Sequence, residues 1–197
     1  MIPMTIIPSD NPLILIFILY LIGSVPFSII FARLFKLSDP RTFGSKNPGA
    51  TNMLRTGNKL AATLTLIGDI LKGFLPVYLL TKTELIVDQI YMLAFFIYLG
   101  HIFSIFIKFK GGKAVATSIG VILGIDYLVA VCIILTWIIV YLISKISGLS
   151  AITAFVLLPS FFYFFSNNDY LASISIFNTL LILITHRSNI YNLLSKN

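Results

Sequence analysis

The sequence predicts an all-α integral membrane protein of about seven transmembrane helices, one of them short, with its amino terminus outside and its carboxyl terminus in the cytoplasm. Three observations predict it. Of 197 residues, 58% are hydrophobic and 11% charged, with a mean hydropathy of +0.99, whereas a soluble domain is roughly half apolar and a quarter charged. Apolar runs recur near the length of about 20 residues that a hydrocarbon core of roughly 30 Å asks of a helix. Lysine and arginine fall on alternate connections between those runs. No internal repeat or low-complexity tract divides the chain, so one domain over residues 1–197 is expected.

The first run, 12–34, follows ten residues without Lys or Arg and has no small-residue cleavage signal, so it reads as a retained helix and not a signal peptide. Further spans are expected at 59–81, 86–107, 113–125, 127–145, 149–166 and 170–186. The fourth, of about 13 residues, suits a buried or partly re-entrant segment better than a lipid-facing helix. Five or six true crossings stay open beside seven. Twelve of the fourteen basic residues lie on one side of this arrangement: Arg33, Lys36, Arg41, Lys46, Arg55, Lys59, Lys108, Lys110, Lys113, Lys145, Arg187 and Lys196. The other side takes Asp10, Glu84, Asp88, Asp126 and Asp169 with Lys82. The basic side is cytoplasmic by the positive-inside rule.

A net charge of +7 could signal nucleic acid, but the cations sit in short loops between apolar runs, without a solvated basic face or arm. Anionic headgroups and phosphate-bearing substrates fit better. Cys132 is the sole cysteine, which excludes a disulfide within the chain and a cysteine-rich metal site.

Chemistry concentrates in the cytoplasmic connections. The first, Asp39 to Arg55, holds Gly44, Ser45, Lys46, Asn47, Pro48, Gly49, Thr51 and Asn52, a composition that opposes regular helix. Small residues let backbone amides approach an anion, and Arg41, Lys46 and Arg55 add charge. A solvated turn whose cations only set topology fits the same composition. The second connection, Lys108 to Thr117, sets Gly111, Gly112 and Lys113 just before an apolar helix, where free amides and an ammonium favour phosphate. A flexible hinge with topological charges is the other reading. It is not a Walker A loop, since Ala114 follows Lys113 and the upstream glycine is missing.

Asp69 and Lys72 lie three residues apart inside a span, on one helical face. Such groups are costly in a bilayer, and either a direct substrate role or a neutralised pair joining helices accounts for them. His101 and His186 lack the acidic or thiol partners of a metal site, so they serve packing, or bind phosphate and orient a hydroxyl. His101 is followed five positions on by Phe106, so the His-x4-Asp dyad of another acyltransferase class is absent.

The motifs together resemble the bacterial membrane glycerol-3-phosphate acyltransferases that use acyl phosphate, the PlsY family. The resemblance spans nearly the whole chain: Gly23-Ser24-Val25-Pro26, then Gly44 to Asn52 with Arg55, Asp69-x-x-Lys72-Gly73, Gly100-His101, Phe109 to Lys113 with Val115-Ala116-Thr117, and His186-Arg187-x-Asn189-Ile190. Three positions depart from it: Ser104 stands where the family often has Pro, Ala114 where it usually has Gly, and Asn192 where its tail often carries Arg.

The resemblance implies transfer of a fatty acyl group from acyl phosphate to glycerol 3-phosphate, giving 1-acylglycerol 3-phosphate and phosphate. It implies no cofactor, no metal, membrane lipids as surroundings, and a monomer in the bacterial cytoplasmic membrane with its site facing the cytoplasm. Carried over residue by residue, Ser45, Lys113, His186 and Asn189 become the catalytic candidates. Arg41, Gly44, Asn47, Gly49, Thr51, Asn52, Arg55, His101, Lys110, Gly111, Gly112, Asp69 and Lys72 become the substrate- and phosphate-binding candidates. An organophosphate transporter is the alternative, but it would place polar groups near the midplane, and here they gather at one interface. A purely structural or lipid-binding protein leaves the clustered Gly, Asn, Thr and His residues unexplained.

Overall fold

A computed structural model describes residues 11–195; Asp10 and Lys196, both used above to assign sides, lie outside the described residues. Among the described residues the regular structure is entirely helical. Four helical stretches are long and apolar enough to cross a membrane, and six if each of two bent helix pairs is one span.

The helix ends follow from local sequence. Asn11 caps α1 (Pro12–Ser24), its side-chain oxygen accepting from the Leu13 amide at 3.1 Å, and Pro12 fits the first turn, where no N–H is needed. The run expected as one helix over 12–34 breaks at Val25-Pro26 and resumes as α2 (Phe27–Leu34). Proline lacks the N–H and pushes the residue before it out of the helical region; Val25 has ψ 116°. A short α3 (Ala50–Met53) follows in the first connection. Asn58 caps α4 (Lys59–Leu80) through the Ala61 amide at 2.9 Å.

The third expected span, 86–107, ends early: α5 covers Val87–Ile102, and Ile105–Ile107 form a separate 3-10 turn. The fourth is short as expected, α6 (Val115–Ile125), only about 16 Å long at 1.5 Å per residue. Asp126 caps α7 (Tyr127–Ser144) through the amides of Leu128 and Val129. The run expected over 149–166 is a bent pair, α8 (Ser147–Val156) and α9 (Leu158–Phe165), turned by 41° where Pro159 enters the first turn of α9. A 63° bend at His186 separates α10 (Asp169–Thr185) from α11 (Arg187–Leu194).

Glycines bring two helix pairs into backbone contact. A β-carbon on Gly73 would strike the Thr117 carbonyl, and one on Gly120 the Ile70 carbonyl, so α4 and α6 pack face to face. Gly23 and Gly100 do the same for α1 and α5. Small residues at such crossings are how helices gain contact when lipid removes the hydrophobic drive between them. In the centre, Asn178 joins Tyr91, Tyr98 and Ser118 in a buried polar knot, with distances of 3.3 to 3.4 Å. Phe17, Ile143, Phe164 and Ile184 are exposed by 57 to 82%, apolar surface on a scale that a bilayer, not water, solvates.

Candidate active site

The first connection is organised by one buried side chain. Asn52, 2% exposed, accepts from the Ser45 amide at 3.0 Å and donates to the carbonyls of Pro40 at 2.6 Å and Phe43 at 3.2 Å. The turn it closes needs Gly44 at φ +56°, where a β-carbon would also meet the Asn52 and Arg55 side chains. Ser45, Lys46, Thr51 and Arg55 are exposed around it. Asn47 and Gly49 lead into α3, the Gly49 amide donating to the Asn47 carbonyl. Arg41 is held by Asp39 in a two-pronged pair, Nε to Oδ1 at 3.0 Å and Nη2 to Oδ2 at 2.6 Å. This guanidinium holds the Asp39 carboxyl below its usual range, and the carboxylate raises Arg41 in turn. Arg41 therefore spends part of its donor set inside its own loop.

The second connection corrects one expectation. The Gly111 amide donates to the Ile102 carbonyl at 2.9 Å, and the Gly112 amide donates to the His101 carbonyl at 3.0 Å. These two amides are not free for an anion. Their glycine identity has a packing cause, because a β-carbon at either would run into His101. What the turn delivers is Lys113 at the start of α6, whose Nζ donates to Asn189 Oδ1. Burial lowers the Lys113 ammonium from its ordinary value. Lys110 points to solvent as an exposed residue. Ala114 adopts φ +62°, a region where glycine would be unstrained. Ser104 donates its hydroxyl to the Ser24 carbonyl at 2.5 Å, which explains a polar residue at a buried position that otherwise suits proline: its φ is −63°.

The tail supplies the imidazole. His186, 3% exposed, sits at the bend after α10, with Nδ1 2.9 Å from the Ile182 carbonyl. Nδ1 therefore carries the proton, and Nε2 is left as the acceptor. Thr185 donates to the Ile182 carbonyl at 2.9 Å and to the Lys113 carbonyl at 3.3 Å, which ties the bend to the second connection.

A third connection, unmarked by the sequence reading, closes the arrangement. Ser147 Oγ lies 3.3 Å from Thr51 Oγ1, and Gly148 packs directly on Asn189. Contacts thus run from Thr51 to Ser147, from Gly148 to Asn189, and from Asn189 to Lys113. Four segments that are far apart in sequence meet at one end of the bundle. A Ser-Gly pair after Lys145, at a helix start on the basic side, was the available signal.

Asp69, Lys72 and His101 lie apart from this chain of contacts, in the interior beneath the first two connections. Lys72 Nζ donates to Asp69 at 2.8 Å and to the Val25 carbonyl at 2.8 Å. His101 Nδ1 is 3.7 Å from Asp69 and 3.1 Å from Thr117 Oγ1. Pro48 of the first connection and Gly111 and Gly112 of the second line the same small cavity as these groups, about 10 Å³ of free space.

The fold and site define a polytopic helical membrane protein that gathers lysine, arginine, imidazole and amide groups at one end of its bundle, the equipment for an anionic substrate. The glycerol-3-phosphate acyltransferase family model matches residues 13–196. The chain is 47% identical to the glycerol-3-phosphate acyltransferase of Nitrosomonas eutropha over 186 residues, covering 92% of this chain and 93% of the relative. It is 44% identical to that of Methylobacillus flagellatus over 184 residues, covering 93% and 94%. Crystal structures of PlsY (YgiH), an integral membrane glycerol 3-phosphate acyltransferase, resemble it in three dimensions. The glycerol 3-phosphate form gives a TM-score of 0.87 at 34% identity, and the lysophosphatidic acid form 0.85 at 33%. Each covers 93% of this chain and 92% of the other. The chain belongs to the glycerol-3-phosphate acyltransferase family.

Proposed function

We propose that this protein acylates the 1-hydroxyl of glycerol 3-phosphate with a fatty acyl group taken from acyl phosphate. The observation that carries the reading is the convergence of Thr51, Ser147, Gly148, Asn189 and Lys113, with His186 beside them. Relatives named for glycerol 3-phosphate acylation, and a structural neighbour solved in glycerol 3-phosphate and lysophosphatidic acid forms, support it.

In the reaction, the glycerol hydroxyl oxygen attacks the acyl carbonyl carbon, an ester C–O bond forms, and the C–O bond to phosphate breaks. The hydroxyl proton passes to the departing phosphate, and lysophosphatidate and inorganic phosphate are the products. The donor is already activated and its leaving group is good, so positioning and charge stabilisation suffice. Neither a protein nucleophile nor a cofactor enters this reading. Lys113, Arg55 and the exposed Ser45 face the phosphates. Asn189, oriented through its oxygen by Lys113, keeps its amide hydrogens for substrate oxygen, and His186 Nε2 orients the attacking hydroxyl.

The reading places a single membrane domain of seven crossings in a bacterial cytoplasmic membrane, as a monomer. The amino terminus lies outside, and the four converging segments lie in the cytoplasm. The alternation of basic connections supports this orientation.

The test supplies purified protein with palmitoyl phosphate and glycerol 3-phosphate, without coenzyme A or added metal. Equal amounts of lysophosphatidate and phosphate are expected. Turnover with palmitoyl coenzyme A but not with palmitoyl phosphate would overturn the choice of donor. Folded protein that turns over neither donor, yet carries glycerol 3-phosphate into vesicles, would move the assignment to transport.

A further inference from the structure

Three buried ionisable groups take no part in the contacts that join the four segments. Asp69, Lys72 and His101 are 3, 5 and 7% exposed, a placement that is costly unless the charges are paired and their hydrogen bonds met. Outside the trio itself, their polar contacts reach the break between α1 and α2 through Lys72, Thr117 in α6 through the His101 ring, and the turn before Lys113 through the His101 carbonyl.

At the break, Pro26 leaves carbonyls at the end of α1 without helical partners. Lys72 takes the Val25 carbonyl at 2.8 Å, and Ser104 takes the Ser24 carbonyl at 2.5 Å. Tyr20 reaches back from α1 to the Phe103 carbonyl at 2.6 Å. The carboxyl end of α5 is thereby tied to the break. At the turn, the carbonyls of His101 and Ile102 hold the amides of Gly112 and Gly111. The His101 ring, with Nδ1 3.1 Å from Thr117 Oγ1 and 3.7 Å from the Asp69 carboxylate, presents its Nε2 edge to Gly112, where a β-carbon has no room. Lys113 is the next residue.

We infer that the buried string Lys72–Asp69–His101 positions the glycine turn that carries Lys113, so that these three act on substrate only through Lys113 and touch none themselves. The string fixes the His101 ring; the ring and its carbonyl fix Gly112; Gly112 fixes the height at which the ammonium emerges beside Asn189. A pair that merely joined helices would need no link to the turn, whereas here the acceptors of the turn's two amides and its closest packing partner all belong to the end of α5. The string also accounts for three substrate-binding candidates that lie in the interior.

The inference rests on the acyltransferase reading only for its kinetic arm. The variant is the double substitution Asp69→Asn with Lys72→Met, which removes both charges together and leaves no lone buried ion. A loss in kcat/KM of about tenfold is expected, in the range that displacement of a catalytic group brings. In a Lys113→Gln background the same double substitution should cost less than about twofold, because residues acting through one group are not additive. The same fold loss in both backgrounds overturns the inference, since the pair would then act independently of Lys113.

The second arm needs no turnover. The rate of reductive methylation of Lys113, followed by mass spectrometry on folded detergent-solubilised protein, should change by at least about threefold in the double variant, as side-chain reactivity follows local exposure and charge. An unchanged rate overturns the inference. A changed rate in protein that shows no acyl transfer sinks the acyltransferase reading and keeps the positioning role.

Discussion

Gly148 has no functional group, yet its replacement is expected to disable the enzyme. It is the second residue of α8, and a β-carbon there would stand 2.8 Å from Asn189 Cγ and 3.2 Å from Asn189 Cβ. Carbons rest at about 3.5 to 4.0 Å, so Asn189 must retreat by roughly 0.7 Å or more in a Gly148→Ala variant. The side chain cannot simply rotate away, because its Cβ, fixed to α11, is among the crowded atoms. Since Asn189 Oδ1 accepts from Lys113, the ammonium either follows the shift or loses its partner. Displacement of a catalytic group by about 1 Å costs on the order of 10²-fold in rate, equivalent to about 2.7 kcal/mol of activation free energy. Overpacking should also lower stability by about 1–3 kcal/mol.

The assay is the initial rate of phosphate release from palmitoyl phosphate and glycerol 3-phosphate, with Tm measured on the same samples. Gly57→Ala is the control: a β-carbon there meets nothing within 4 Å, but φ is +82°. That variant should lose about 1–2 kcal/mol of stability and little activity. Gly148→Ala protein that turns over at the wild-type rate with an unchanged Tm would refute the chain of contacts through Asn189 as the means by which Lys113 is held.

Further expectations follow from the same geometry. Burial lowers Lys113 from its ordinary value of 10.5, so the proton that gives it charge leaves earlier as pH rises. The alkaline limb of kcat/KM should therefore fall below the usual lysine range, and Lys113→Arg should remove that limb; a limb unaffected by the arginine would assign it to another group. Asn52→Ala strands the Pro40 and Phe43 carbonyls and the Ser45 amide, a loss of about 1–3 kcal/mol for each group left buried and unmet; a Tm unchanged in thermal melts would contradict it. Ser104→Ala removes the hydroxyl that satisfies the Ser24 carbonyl and should cost about 1–3 kcal/mol, while Ser104→Pro should recover part of this through a φ that already suits proline. A proline variant less stable than the alanine one, read from the same melts, would count against that account.

The helical membrane architecture was legible because lipid imposes one crude rule: a spanning segment must be long, apolar and internally hydrogen-bonded. Hydropathy therefore found every long apolar helix, and the short α6 was visible as short. Breaks were harder. Val25-Pro26 and the bend at Pro159 carry a proline in plain sight, yet apolarity continues across both, so hydropathy merged each pair into one run. The tail helix α11 escaped notice since Arg187, Ser188, Asn189 and Asn192 gave its eight residues no apolar run.

At the site, residue types and spacing within each loop singled out Lys113, His186 and the turn around Gly44, because anion handling draws on cations, small residues and imidazole wherever they occur, and the family resemblance added Asn189. By itself the sequence determined the class of molecule, the connections in which its polar chemistry gathers, and the family to which it belongs. Only the tertiary structure decided that the Gly111 and Gly112 amides are already spent on α5, that the Asp69–Lys72 pair reaches a helix break through Lys72, and that Ser147 and Gly148 complete the chain of contacts. Those facts depend on distances between residues up to 96 positions apart, and packing sets such distances while local composition does not.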